Sequence, residues 1–203
     1  DDDLLLLEGG DAVNSELFGI ARTLVRAAAE RAKPNGERLE EYSDANRESL
    51  ELDLFSDRPI YSDLEELTLA KSLTYLMGKL GASSPKLKIY GLNQSPADRA
   101  RELVRGTQVG DAAYRRKLYE GGQAAIDASN DPMIRLALTL DGPAREVRQI
   151  IDTQEEAKRQ AHAQIASARF ALEGASGYPD ATFTLRLAFG TVRGVEEGGD
   201  AIP

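Results

Sequence analysis

Apolar residues recur at helical spacing along most of this chain and switch to strict alternation only near its end. Between Ser15 and Lys33, Leu17, Ile20, Ala21, Leu24, Val25 and Ala28 fall on one stripe, the pattern of a helix with one buried face. Pro34 stops that helix and Asn35-Gly36 turns the chain. The stretch from Glu37 to Phe55 is charged at first and then apolar at Leu50, Leu52, Leu54 and Phe55. It alternates like a strand, but its helical neighbours favour a helix. Ser62-Asp63-Leu64-Glu65 has the spacing of a capping box. The helix it opens carries Leu69, Leu73, Leu76, Met77 and Leu80 on one side, with Gly81 placed for a left-handed cap.

Further helices follow at short intervals. Ser95-Pro96 opens one that Gly106 closes, and Asp111 to Glu120 forms another ended by Gly121-Gly122. Gln123 to Ser129 reads as a short helix, and Asp131-Pro132 starts one through Leu140. Gly142-Pro143 then reads as the start of the longest, running to Glu173 over roughly 45 Å at 1.5 Å per residue. Its stripe is Val147, Ile150, Ile151, Gln154, Ala157, Ala161, Ile165, Ala168 and Leu172, where small residues would admit a close neighbouring helix. After Gly174 to Gly177 the period changes to two, with Phe183, Leu185, Leu187 and Phe189 alternating with Thr182, Thr184, Arg186 and Ala188. One strand cannot satisfy its own edges. The expected fold is therefore mainly α, a multi-helix domain over residues 1–177. A β segment over 178–203, a strand or hairpin, would join a sheet whose other strands lie outside this chain.

Composition narrows the chemistry. The chain has 203 residues, 29% charged and 41% hydrophobic, with net charge −9, the balance of a globular protein that repels nucleic acid and anionic lipid. It contains no cysteine, so disulfides and thiolate chemistry are excluded within it. Leu4 to Leu7 follows three aspartates, and is neither a signal peptide nor a membrane span. If a longer parent is exported, its signal lies upstream.

Candidate reactive groups each carry a structural reading beside the chemical one. His162, the single histidine, sits beside the stripe of the long helix with no serine elbow or oxyanion loop to serve. It reads as a solvent-boundary residue. Glu155 and Glu156 precede it at a spacing without a ligand motif, and Asp1 to Asp3 read as an acidic terminus. Glu65 and Glu66 belong to a helix start, where the dipole favours them. Arg115, Arg116 and Lys117 form a basic cluster that could hold an anion, although a solvated helix face is the default. Gly9-Gly10 and Gly121-Gly122 read as turns, and Arg186 as a sheet-surface charge. No catalytic, cofactor-binding or metal-ligating residue is assigned.

The segment Tyr178 to Gly194 resembles a block of bacterial serine dipeptidyl-peptidases, the dipeptidyl-peptidase seven and eleven type. These combine a chymotrypsin-like double barrel with an inserted helical domain. Lys33-Pro34-Asn35-Gly36-Glu37-Arg38, Leu52-Asp53-Leu54-Phe55-Ser56, Ser129-Asn130-Asp131-Pro132-Met133-Ile134 and Ile165 to Ala171 resemble the family in the same order. Val195 stands where the family has an aromatic residue, and Gly174 to Gly177 is a looser lead-in. The resemblance implies a cofactor-free enzyme of the periplasm or cell envelope that removes dipeptides from peptide N-termini. It implies triad histidine and aspartate upstream of this segment and the serine downstream. This chain would be the helical cap over the cleft, inactive alone, with the peptide substrate and its own barrel as partners, and it admits a homodimer. The competing reading is a nonenzymatic helical interaction module whose tail strand adds to a partner's sheet.

Overall fold

Ser15 opens the first helix as the spacing suggested: its backbone is extended (φ −157°) and its Oγ accepts the Phe18 N–H at 3.1 Å. Helix α1, Glu16–Arg31, buries Leu17, Ile20, Ala21, Leu24, Val25 and Ala28, the stripe expected from sequence. This computed structural model describes residues 12–174, 195–197 and 200–202. They fall into two compact units, Asp1–Gln154 and Glu155–Pro203.

In the first unit, three short 3-10 turns follow α1, and helix α2, Arg47–Leu54, ends the charged stretch. Helix wins over strand there, as its neighbours suggested. Helix α3, Ser62–Leu80, fully buries Leu69, Leu73 and Leu76. Gly81 takes the positive φ expected of it (82°), but ψ of 137° carries it out of the left-handed helical region. A 3-10 turn at Pro85–Tyr90, which the spacing did not predict, buries Leu87 and Tyr90. Helix α4, Pro96–Gly106, is capped by Ser95, whose Oγ accepts the Asp98 N–H at 3.1 Å. Helix α3 packs on α4.

Helix α5, Ala112–Ala128, starts at Asp111, which accepts the Ala113 N–H at 2.9 Å, and packs on α1. The break expected at Gly121-Gly122 is a kink inside this element: Gly122 has φ 60° and ψ −150°. That region is open essentially to glycine alone. Its neighbour is equally constrained, because a Cβ on Gly121 would meet the Ala125 Cβ at 2.5 Å.

Sequence expectations fail at two helix starts. The Ser62 to Glu65 spacing is not a capping box: Ser62 is already helical, Tyr61 is the N-cap, and no side chain caps it. Glu65 is instead drawn to another helix. The helix expected to start at Pro143 is also not separate, since α6 runs unbroken from Pro132 to Glu173. Proline there removes one backbone hydrogen bond, at a cost of about 3 kcal/mol in a helix interior. Contacts on both sides offset it. Leu140 and Ala144 are buried, and Arg145 Nε donates to Asp141 Oδ2 at 2.7 Å across the proline.

In the second unit, the α6 side chains from Glu155 to Glu173 are exposed. Strand β1, Val195–Glu197, pairs antiparallel with β2, Asp200–Ile202, with Val195 opposite Ile202. The alternating segment Phe183 to Phe189, together with Arg186, lies outside the described residues, as do Asp1 to Asp3 and Gly9-Gly10. The described protein is mainly α.

Replacing Gly122 by alanine should destabilise the protein by about 1–3 kcal/mol. The check is urea unfolding, where the midpoint falls while the slope stays constant.

Candidate functional site

The densest polar chemistry of the first unit lies where α1 meets α6. Arg26 and Glu30, one turn apart on α1, both face α6. Arg26 Nε donates to Asp141 Oδ1 at 2.9 Å, and Arg145 NH1 donates to Glu30 Oε1 at 2.6 Å. Glu30 is fully buried and also accepts from Lys33 Nζ at 2.8 Å and from the Leu39 N–H at 2.9 Å. Burial alone would raise its pKa. The Lys33, Leu39 and Arg145 donors outweigh that and hold the carboxyl at about 2. Farther along α6, Arg148 donates to both oxygens of Glu41, at 2.6 and 3.2 Å. Burial raises the Glu41 carboxyl, but Arg148 overrides it and the net direction is down. Glu30 and Glu41 are both held below the ordinary carboxylate range by their cations, so neither is poised as a general acid near neutral pH. The chemistry of the cluster is adhesion.

Glu65 performs a second structural task. It is buried at the start of α3, yet it accepts from Ser15 Oγ at 2.6 Å and from the Glu16 and Leu17 N–H groups at 3.3 and 3.1 Å. Its carboxylate thus caps α1 from another helix, meeting orphan amides and the positive dipole end. Glu66 beside it pairs with Arg105 at 2.6 Å on the surface.

The basic cluster divides. Arg115 is buried, not solvated. Its NH1 donates to the Leu54 carbonyl at 2.7 Å, and its NH2 to the Ser56 and Gly110 carbonyls at 3.0 and 3.3 Å. Burial pulls its pKa below the ordinary arginine range, although guanidinium remains charged. Arg116 stacks over the Phe55 ring at 4.1 Å, and Phe55 meets Tyr119 edge-on at 5.4 Å. The cluster fastens the end of α2 and the loop after it to α5, so the anion-binding reading has no support in this geometry. Spacing could not reveal this, because two of the three acceptors of Arg115 are carbonyls about sixty positions away.

His162 is exposed on α6 in the second unit. Glu155 and Glu156 form surface pairs with Lys158 and Arg159 at 3.1 and 3.0 Å. Among the described residues, no group of three or more histidine, aspartate or glutamate side chains is arranged to hold a metal. No described helix is long and apolar enough to cross a membrane.

The family model described as peptidase S46 matches residues 2–203. The chain therefore belongs to the peptidase S46 family, the family of dipeptidyl-peptidases seven and eleven.

Two outcomes test the polar architecture. The Glu30 carboxyl is lowered from 4.5 to about 2, so its stabilising contribution is complete above about pH 4.5 and lost as pH falls through about 2. Glu30→Gln should cost about 3 kcal/mol at pH 7 and flatten the stability profile between those values, as followed by urea unfolding across pH. Arg115→Met leaves three carbonyls without their donor, and should cost about 3 kcal/mol. Arg115→Lys should recover less than half of that, because an ammonium cannot reach the same three acceptors. Thermal unfolding of both variants checks the ranking.

Proposed function

We propose that this chain is the helical cap of a serine dipeptidyl-peptidase, with the catalytic triad outside the segment. The observation that carries the reading is the peptidase S46 match along residues 2–203. It coincides with a helical body in which the buried Glu30, Glu65 and Arg115 tie helices and their ends together. The chain's one histidine is exposed, and no described serine or carboxylate is hydrogen-bonded to it, which fits a cap better than a reaction centre. In this reading the helices close over a cleft built by a β-barrel. They exclude water and restrict entry to the free end of a peptide. The net charge of −9 favours an incoming ammonium terminus over a range of about 8 Å in physiological salt. The periplasm or cell envelope is the compartment this reading implies, and residues 178–203 are the return to the barrel.

A second reading, a nonenzymatic interaction module, draws on exposed Ile165, Phe170 and Leu172 on α6. Saturable binding to an unrelated protein, abolished by Phe170→Lys, would favour it.

The purified chain should release no fluorophore from dipeptidyl substrates. The parent enzyme should lose at least tenfold in kcat/KM for dipeptide release when the cap is removed, because positioning is lost with it. Steady turnover by the chain itself, surviving repurification, would overturn the assignment.

A further inference from the structure

Three arginines from three pieces of chain converge on one small cavity beside α1. Arg31 ends α1, Arg38 follows the 3-10 turn Asn35–Glu37, and Arg47 begins α2. All three line a space of about 10 Å³, together with Ala27, Leu50, Tyr42 and Tyr119. That is room for a single occupant the size of a water molecule.

The acids around it do not balance these cations. Among the described residues, Asp44 is the only carboxylate paired with them, and it serves two. Arg38 NH1 donates to its Oδ1 at 3.0 Å, and Arg47 NH2 donates to the same oxygen. Arg31 pairs with no carboxylate there. Its NH1 donates to the Tyr119 carbonyl at 2.7 Å, and its guanidinium lies over the Tyr119 ring at 4.6 Å. Glu51 is engaged by the Tyr119 hydroxyl at 3.0 Å. Each guanidinium carries five N–H donors. With Arg38 Nε on the Lys33 carbonyl at 3.0 Å, these bonds still leave donors on all three.

Size and charge together select the occupant. Phosphate and sulfate are too large for the space, whereas a monatomic anion fits it. Ala27, Tyr42 and Tyr119 are buried, so part of the wall is dry. Guanidinium is only weakly hydrated, so a halide can exchange much of its water shell for N–H donors. Water, the neutral occupant of the same size, would leave three cations facing one counter-charge.

We propose that this cavity is a chloride site, with the ion held by Arg31, Arg38 and Arg47. The bound ion ties the end of α1 to the start of α2 through the turns between them. The site stands whether or not the chain caps a peptidase.

Thermal unfolding of the full chain tests it, with chloride replacing gluconate at constant ionic strength so that general screening is fixed. The midpoint temperature should rise saturably with chloride, as for a ligand that binds only the folded state. Bromide should reproduce the rise. Arg47→Gln should weaken the apparent chloride affinity about fivefold, and Asp44→Asn should strengthen it by about the same factor, since each changes one unit charge at the rim. Loss of a purely structural Arg47–Asp44 pair would be the same in both variants and could not move the affinity in opposite directions. Arg105→Gln removes a surface cation elsewhere and should leave the chloride response unchanged. Chlorine NMR on the same samples should show an excess linewidth that fades in Arg47→Gln. No chloride-specific rise, the same response in all the variants, or no excess linewidth would mean that water alone fills the cavity, and would overturn the proposal.

Discussion

The fully buried carboxylate of Glu30 is the contact on which the first unit depends. An ionised acid out of water is costly unless its oxygens are matched. Here one oxygen takes Lys33 and Arg145 while the other takes the Leu39 amide. Those donors come from the end of α1, the turn after it and the middle of α6, so a single group fixes three pieces of chain that propensity alone would leave independent. The neighbouring Arg26–Asp141 pair repeats the link one turn earlier. Helix α6 can then carry proline at position 143 without breaking.

Much of this was legible in the sequence. The buried stripe of α1 was readable because apolar periodicity reports burial wherever a helix has a single buried face. Ser15, Ser95 and Asp111 as helix starts were equally visible, because those caps act within three residues. The Gly122 kink was legible for a different reason: paired glycines mark backbone that other residues cannot adopt.

What stayed hidden has one common cause. Glu65, Arg115 and Pro143 are each decided by partners outside the motif that suggested their reading, distant ones for Glu65 and Arg115 and the flanking Asp141–Arg145 pair for Pro143. Local spacing assigned Glu65 to its own helix, whereas Ser15 and the first amides of α1 lie about fifty positions upstream. It made Arg115 a surface cation, although its acceptors are carbonyls of the α2 end and the loop beyond. It made Pro143 a start signal, which is the usual meaning of Gly-Pro, because the ion pair from Arg145 to Asp141 is not a property of the dipeptide. The peptidase kinship was legible only through motif resemblance, since no reactive group within the chain announced it.

The capping of α1 by Glu65 ties the fate of two helix starts together. Fraying of the first turn of α3 withdraws the carboxylate and exposes the leading amides of α1. Unwinding of α1 in turn strands a buried acid on α3. Neither end can breathe alone, so the two melt as one cooperative block. A force or partner pulling on the chain just ahead of Ser15 is thereby transmitted to a helix that begins 47 positions later.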